Sequence, residues 1–310
     1  MNAPDSPIRA VTRSPAHASA GGLVLGLTAY ALWGILPIYF KELHGVPAAD
    51  IVAHRILWSL PFLAVLITAR RGWDKVRDAL SRPRTLAILL MSALLIGGNW
   101  LLYVFAVTGG HILAASFGYY LNPLANVLLG RFVLRERLSR MQWTAVAIAA
   151  AGTAVLAAGA LGQLWMSLAL CISFALYGLL RKIVHADPLT GLSVETGVLF
   201  PLALAWLGSR ALTSQPVMGS SAHDTGLLLI AGIVSTTPLL LFTAAAKRLP
   251  YSTLGMLQFI APTLQFLIAV LLYGEAFTTA HAIAFPAIWA ALALYVIALV
   301  RTPRLPQAPE

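Results

Sequence analysis

Ten apolar stretches recur along the 310-residue chain, near 21–40, 48–69, 86–107, 112–130, 142–160, 163–180, 189–208, 225–245, 251–273 and 280–300. A bilayer core asks for about 20 apolar residues per helix. Lipid offers no partner to a free backbone N–H or C=O, so such stretches close as helices. Hydrophobic residues make up 59% of the chain and charged residues 10%. A soluble domain carries about 25% charged residues, so this chain has too few to cover a water-facing surface. The expected fold is an all-α polytopic membrane protein of ten transmembrane helices.

The basic residues supply the orientation. Eighteen of the 21 arginines and lysines fall in alternate connections or in the two tails. They are Arg9 and Arg13; Arg70, Arg71, Lys75, Arg77, Arg82 and Arg84; Arg131, Arg135, Arg137 and Arg140; Arg181 and Lys182; Lys247 and Arg248; Arg301 and Arg304. Cytoplasmic loops are enriched in Lys and Arg, so both termini are expected in the cytoplasm. The formal charge of +10 thus records sidedness and not affinity for nucleic acid. Lys41 and Arg210 lie in the other connections, and Arg55 lies inside an apolar stretch.

Residues 1–20 are rich in Pro, Ala and Ser and read as a disordered tail; residues 302–310 read as another. The first apolar stretch is too long for a signal-peptide core and is expected to stay as a helix. The single cysteine, Cys171, lies inside a span, which leaves no disulfide framework and no thiolate metal site.

Shifting the sequence by 139 residues lays the fourth span on the ninth, with Asn122-Pro123 on Ala261-Pro262 and Arg135-Glu136 on Gly274-Glu275. A shift of 144 lays Tyr30-Ala31-Leu32-Trp33-Gly34 on Phe174-Ala175-Leu176-Tyr177-Gly178. The chain therefore divides into repeats at 21–160 and 161–301. Five spans is an odd number, so the second copy enters the membrane inverted. Inverted repeats are frequent in secondary transporters, which hold solute near the midplane between the halves.

Polar residues inside spans are costly and need a partner, a cavity or a bundle-facing position. Ser116, Tyr119, Pro123 and Asn126 share one helical face, and Gly255, Gln258, Pro262 and Gln265 match them in the ninth span. Each proline removes a hydrogen bond to the carbonyl four residues earlier, leaving Tyr119 and Gln258 carbonyls for water, solute or a neighbouring helix. The stripes either line a cavity or only tie helices together. Asn99 and Tyr103, with Trp100 beside them, form a further bundle-facing surface. Trp33 and Tyr177 sit at matched places and serve as aromatic walls or as packing.

Arg55 and Glu195 read as the deep charges, on corresponding spans. They either form a buried ion pair or act separately, Arg55 drawing a carboxylate and Glu195 carrying a proton or an amino group. His54, His111, His223 and His281 form no ligand-spaced cluster, and no metal site or cofactor is expected.

Several stretches resemble the RarD proteins (of the kind labelled chloramphenicol-sensitive) of the EamA group in the drug/metabolite transporter superfamily. They include Ala31-Leu32-Trp33-Gly34, His54-Arg55, Ile96-Gly97-Gly98-Asn99-Trp100-Leu101-Leu102, Gly118-Tyr119, Asn122-Pro123-Leu124, Met141-Gln142-Trp143, Tyr177-Gly178-Leu179, Thr243-Ala244-Ala245-Ala246, Ser252-Thr253-Leu254-Gly255, Pro262-Thr263-Leu264 and Tyr273-Gly274-Glu275. The resemblance covers roughly 22–300 and implies a ten-helix carrier of the bacterial inner membrane, built from two inverted EamA repeats. Export of a small organic metabolite or drug is what it suggests, with proton antiport the default coupling.

The rival readings are an intramembrane enzyme and a non-transporting receptor or scaffold. Neither G-x-S-x-G nor H-E-x-x-H occurs, and no Walker A sequence points to ATP. The expected partners are a small-molecule solute, protons and lipid, with no nucleic acid.

Overall fold

The computed structural model describes residues 19–43, 45–108, 111–156, 162, 164–274 and 277–301. Twelve helices cover most of them: α1 (Ala20–Glu42), α2 (Ala48–Ala69), α3 (Trp73–Ser81), α4 (Pro83–Thr108), α5 (Ile112–Phe132), α6 (Arg140–Leu156), α7 (Leu164–Ile183), α8 (Pro188–Leu212), α9 (Ala222–Ala246), α10 (Tyr251–Leu257), α11 (Ile260–Leu271) and α12 (Thr279–Arg301). There is no strand among the described residues. Among the described residues, eight segments are long and apolar enough to span a membrane: α1, α2, α4, α7, α8, α9, α10 with α11, and α12. The chain is a multi-pass membrane protein. Helix α5, 21 residues, and helix α6, 17 residues, occupy the two other stretches at which spans are expected.

Local chemistry explains several boundaries. The Ser19 hydroxyl accepts from the Gly22 amide at 3.0 Å, so residues 19 and 20 belong to the start of α1 and not to the tail. Asp187 caps α8, accepting from the Leu189 and Thr190 amides, with Pro188 at the first helical position, where its missing N–H costs nothing. Ser221 caps α9 in the same way.

Two features depart from the expected spans. Helix α3 occupies the basic connection after α2, for which the sequence reading assigns no element; its Ala79 is buried and its Trp73 exposed. The expected span 251–273 is two helices joined at Gln258-Phe259. There the Gln258 amide donates to the Gly255 carbonyl (3.0 Å) and the Ala261 amide to the Gln258 carbonyl (3.2 Å). Pro262 cannot donate to Gln258, and a tighter i to i+3 turn takes over. The Gln258 carbonyl is therefore occupied, not free as its place before a proline suggests. Across α5 the helix continues through Pro123.

Helix pairing runs mostly between the sequence halves: α6 packs on α12, α2 on α8, α10 on α5, α4 on α7, α5 on α7, α9 on α1 and α2, and α11 on α1. Small residues permit the closest approaches. At Gly232 an added Cβ would stand 2.2 Å from the Trp58 carbonyl carbon, and at Gly118 it would stand 2.8 Å from the Ser167 carbonyl oxygen.

Candidate functional site

An aromatic cluster occupies the middle of the bundle. Trp33 of α1 lies 6.0 Å from Phe174 of α7 and 5.5 Å from Phe242 of α9, and Phe242 stacks on Tyr177 at 6.4 Å. Tyr30 joins it 5.7 Å from Trp33. The two motifs that resemble each other in sequence thus meet through their aromatic members.

Toward the α1–α2 connection lies Arg55, the eighth residue of α2. Its Nε donates to Ser235 Oγ of α9 at 2.6 Å. The guanidinium carbon sits 5.0 Å from the Trp100 ring and 5.7 Å from the Phe40 ring, within cation–π range. Tyr119, Tyr39 and Tyr103 lie within reach of its charge. Asn99 is the hinge of a polar network: its Nδ2 donates to the Leu170 carbonyl and to Ser173 Oγ, both at 2.9 Å, and its Oδ1 accepts from Tyr119 at 3.2 Å. The Tyr103 and Tyr119 rings are 5.8 Å apart. Arg55 is half-buried, Tyr103 is 41% exposed, and Ser116 and Gln265 are exposed.

A buried ion pair lies at the opposite end. Glu195 is the eighth residue of α8, and its partner is Arg181, 3.4 Å away, not Arg55. Arg181 is 0% and Glu195 1% exposed. Ser92 of α4 donates to Glu195 Oε1 at 2.5 Å, and Arg181 Nη2 donates to the Pro188 carbonyl at 3.1 Å. An Arg55–Glu195 pair does not form, because each residue lies about 10 Å from the start of its helix and the helices start at opposite ends. Arg181 and Lys182, expected in a connection, instead form the buried last turn of α7.

Around this pair two lysines clasp the ends of α7 and α9. Lys182 donates to the Ala246 and Leu249 carbonyls at 3.0 and 2.5 Å, while Lys247 donates to the Lys182 carbonyl at 3.2 Å and to the Val184 carbonyl. Burial first, then the charges of Arg181 and Lys182, pulls Lys247 down to about 8 against the pull of Asp187. Burial alone would raise Asp187, but hydrogen bonds from the Thr190 amide and hydroxyl, the Lys75 charge and the Leu189 amide hold it below the usual carboxylate range.

The proline stripes separate into different roles. Asn126 and Gln258 bond directly to each other at 2.8 Å, both buried, which is helix-to-helix tying. Gln265 Nε2 donates to the Trp33 carbonyl at 3.1 Å. Ser116 is exposed, and Tyr119 belongs to the Asn99 network. Glu136, in the α5–α6 connection, accepts from the Tyr251 amide (2.5 Å), the Ser252 amide (2.9 Å) and the Ser252 hydroxyl (2.7 Å). Asp50 is a further buried acid, 2% exposed, engaged by Arg210 at 3.0 Å and by the Trp206 indole N–H at 2.8 Å. It lies at the very start of its span, where the hydropathy of the stretch hides it. The residue pattern gave no hint of Ser92 or Ser235. No cluster of metal-ligating side chains occurs among the described residues, and Glu275 lies outside them.

The sequence profile of the EamA-like transporter family matches residues 20–158. An uncharacterized transporter of Vibrio cholerae is 47% identical over 277 residues, covering 89% of this chain and 92% of that protein. The RarD protein of Escherichia coli is 45% identical over 291 residues, covering 91% and 96%. A solved crystal structure of 22% identity superimposes with a TM-score of 0.72, covering 92% of this chain and 100% of the other, which extends the likeness to the fold.

Proposed function

The chain belongs to the EamA-like transporter family, and from that membership we propose that it is a secondary carrier of the bacterial inner membrane, working by alternating access. The observation that carries this reading is a pair of matched charges in opposite states. Arg55 and Glu195 are each the eighth residue of their helix, and each is anchored by a serine on a facing helix, Ser235 and Ser92. Arg55 is half-buried, whereas Glu195 is fully buried. A carrier caught open to one side has this asymmetry.

Ten spans in two inverted repeats, 21–160 and 161–301, are part of the proposal. Exchanging the halves maps the α9–α1 contact onto α4–α7, and α11–α1 onto α5–α7, while α6–α12, α2–α8 and α10–α5 map onto themselves. Arg135 and Gly274, matched by the shift of 139, both have left-handed backbones, φ 57° and 66°. A non-glycine residue seldom adopts that conformation, so its recurrence at 135 supports a shared ancestry of the two connections. With the basic connections and both termini in the cytoplasm, Arg55 faces outward and the Arg181–Glu195 pair closes the inner side.

The solute sits between the halves, against Trp33, Asn99, Tyr103, Ser116, Tyr119 and Tyr177, and moves outward as a small organic metabolite or drug. Proton coupling resides in Glu195: a proton there cancels the charge that holds Arg181 and loosens the inner seal. A solute screen with purified protein in proteoliposomes, with and without a pH gradient, tests this. Gradient-driven flux is expected, and Glu195→Gln should lose the dependence on the gradient while keeping downhill exchange. Flux of no solute under either condition would overturn the transport reading.

A further inference from the structure

We infer that the solute is a monoanion carrying a flat apolar body, held end-on by Arg55; the inference rests on the carrier reading. Arg55 is a cation within a span, where an uncompensated charge is costly. Among the described residues no carboxylate lies within ion-pair distance of it. The two buried acids of the spans are committed elsewhere: Asp50 to Arg210 and Trp206, and Glu195, at the other end of the bundle, to Arg181. The groups around Arg55 are Tyr39 and Phe40 on α1, Trp100 and Tyr103 on α4, Tyr119 on α5 and Ser235 on α9. None is acidic.

The geometry narrows the class further. Nε is already given to Ser235, which leaves the edge formed by the two Nη atoms, with two parallel N–H donors. That edge matches the two oxygens of a carboxylate. Other cations in this half are engaged: Lys41 lies 3.3 Å over the Tyr273 ring and Arg210 is paired with Asp50. One guanidinium balances one negative charge, which disfavours a dianion. The aromatic walls supplied by Trp100, Tyr103 and Tyr119 suit a flat ring, because offset or edge contacts between rings add to simple burial.

The test is binding of a matched series to wild-type protein in detergent, read by isothermal titration and by quenching of tryptophan fluorescence. The probes are benzoate, benzamide, benzylamine and phthalate, which keep the ring and vary the charge. Benzoate should bind at least about tenfold tighter than benzamide, as a charge-assisted hydrogen bond implies, with benzylamine and phthalate weaker still. Arg55→Gln should erase the preference for benzoate over benzamide. Arg55→Lys should keep its sign but weaken it, because an ammonium cannot present a parallel pair of donors. Equal binding of benzoate and benzamide, a preference for benzylamine or phthalate, or no binding of benzoate would overturn the inference. The wild-type series decides the matter even if a variant fails to fold. Proteoliposome flux is a separate readout, so failure of this inference and failure of the carrier reading are told apart.

Discussion

At the residue scale the Arg181–Glu195 pair is the most exacting arrangement in the molecule. Both partners are buried, and Arg181 is hemmed in by Gly191, where an added Cβ would fall 1.9 Å from its Nη1. Removing one member of a buried pair leaves a charge without compensation, at a cost of about 3–5 kcal/mol, whereas replacing both with apolar residues of similar volume is often neutral. Arg181→Met should therefore lower the thermal unfolding midpoint strongly. The Arg181→Met/Glu195→Leu double variant should recover most of the loss. Equal and additive losses in a double-mutant cycle would mean that the two side chains act independently. The sequence could flag Glu195, an acid alone in an apolar stretch, but not its partner. Arg181 belongs by position to the basic clusters that mark the cytoplasmic side, and that explanation hid its burial. Arg55 stood out because no sidedness rule accounts for it.

At the scale of elements, hydropathy located the long helices of the described residues, eight of which are apolar enough to span a membrane. It did not locate α3, an amphipathic helix of nine residues, nor the break at Gln258-Phe259, which depends on how a proline's missing bond is absorbed. The junction of α7, α8 and α9 yields a pH prediction. Lys247 is held near 8 when folded and titrates near about 10.4 when unfolded. Between those values the unfolded chain binds more protons, so stability rises with pH across that window and is lost again as pH falls through about 8. Unfolding midpoints measured between neutral pH and pH 10 should climb in the wild type, and Lys247→Met should flatten the climb. Asp187 acts in the opposite range: its stabilisation is present above the ordinary carboxylate pKa and disappears as pH falls below it. Asp187→Ala should cost about 1 kcal/mol as a lost N-cap, visible as a lower midpoint at neutral pH but little difference in acid.

At the scale of the whole molecule, the helix pairs exchange under the proposed repeat, yet the two charges that it matches differ in sign. On that proposal, exchange of the halves would put Glu195 where Arg55 stands, which makes the packing symmetric and the charge antisymmetric. Packing symmetry allows two rocked states of similar energy, and the charge difference lets solute and proton bias them differently. On the carrier reading, accessibility follows from the proposed state. In a Cys171→Ser background, Ser116→Cys places a thiol at an exposed position of the end taken as open, and Thr243→Cys places one in the half taken as closed, where Thr243 is 0% exposed. A charged, membrane-impermeant thiol reagent added outside should modify Ser116→Cys rapidly. The same reagent inside should modify Thr243→Cys slowly. Adding Glu195→Gln should raise the inside rate at residue 243 and lower the outside rate at residue 116, because loosening one gate populates the other state. Rates that rise together would indicate general loosening of the bundle, and rates that do not respond would separate the Arg181–Glu195 pair from gating altogether.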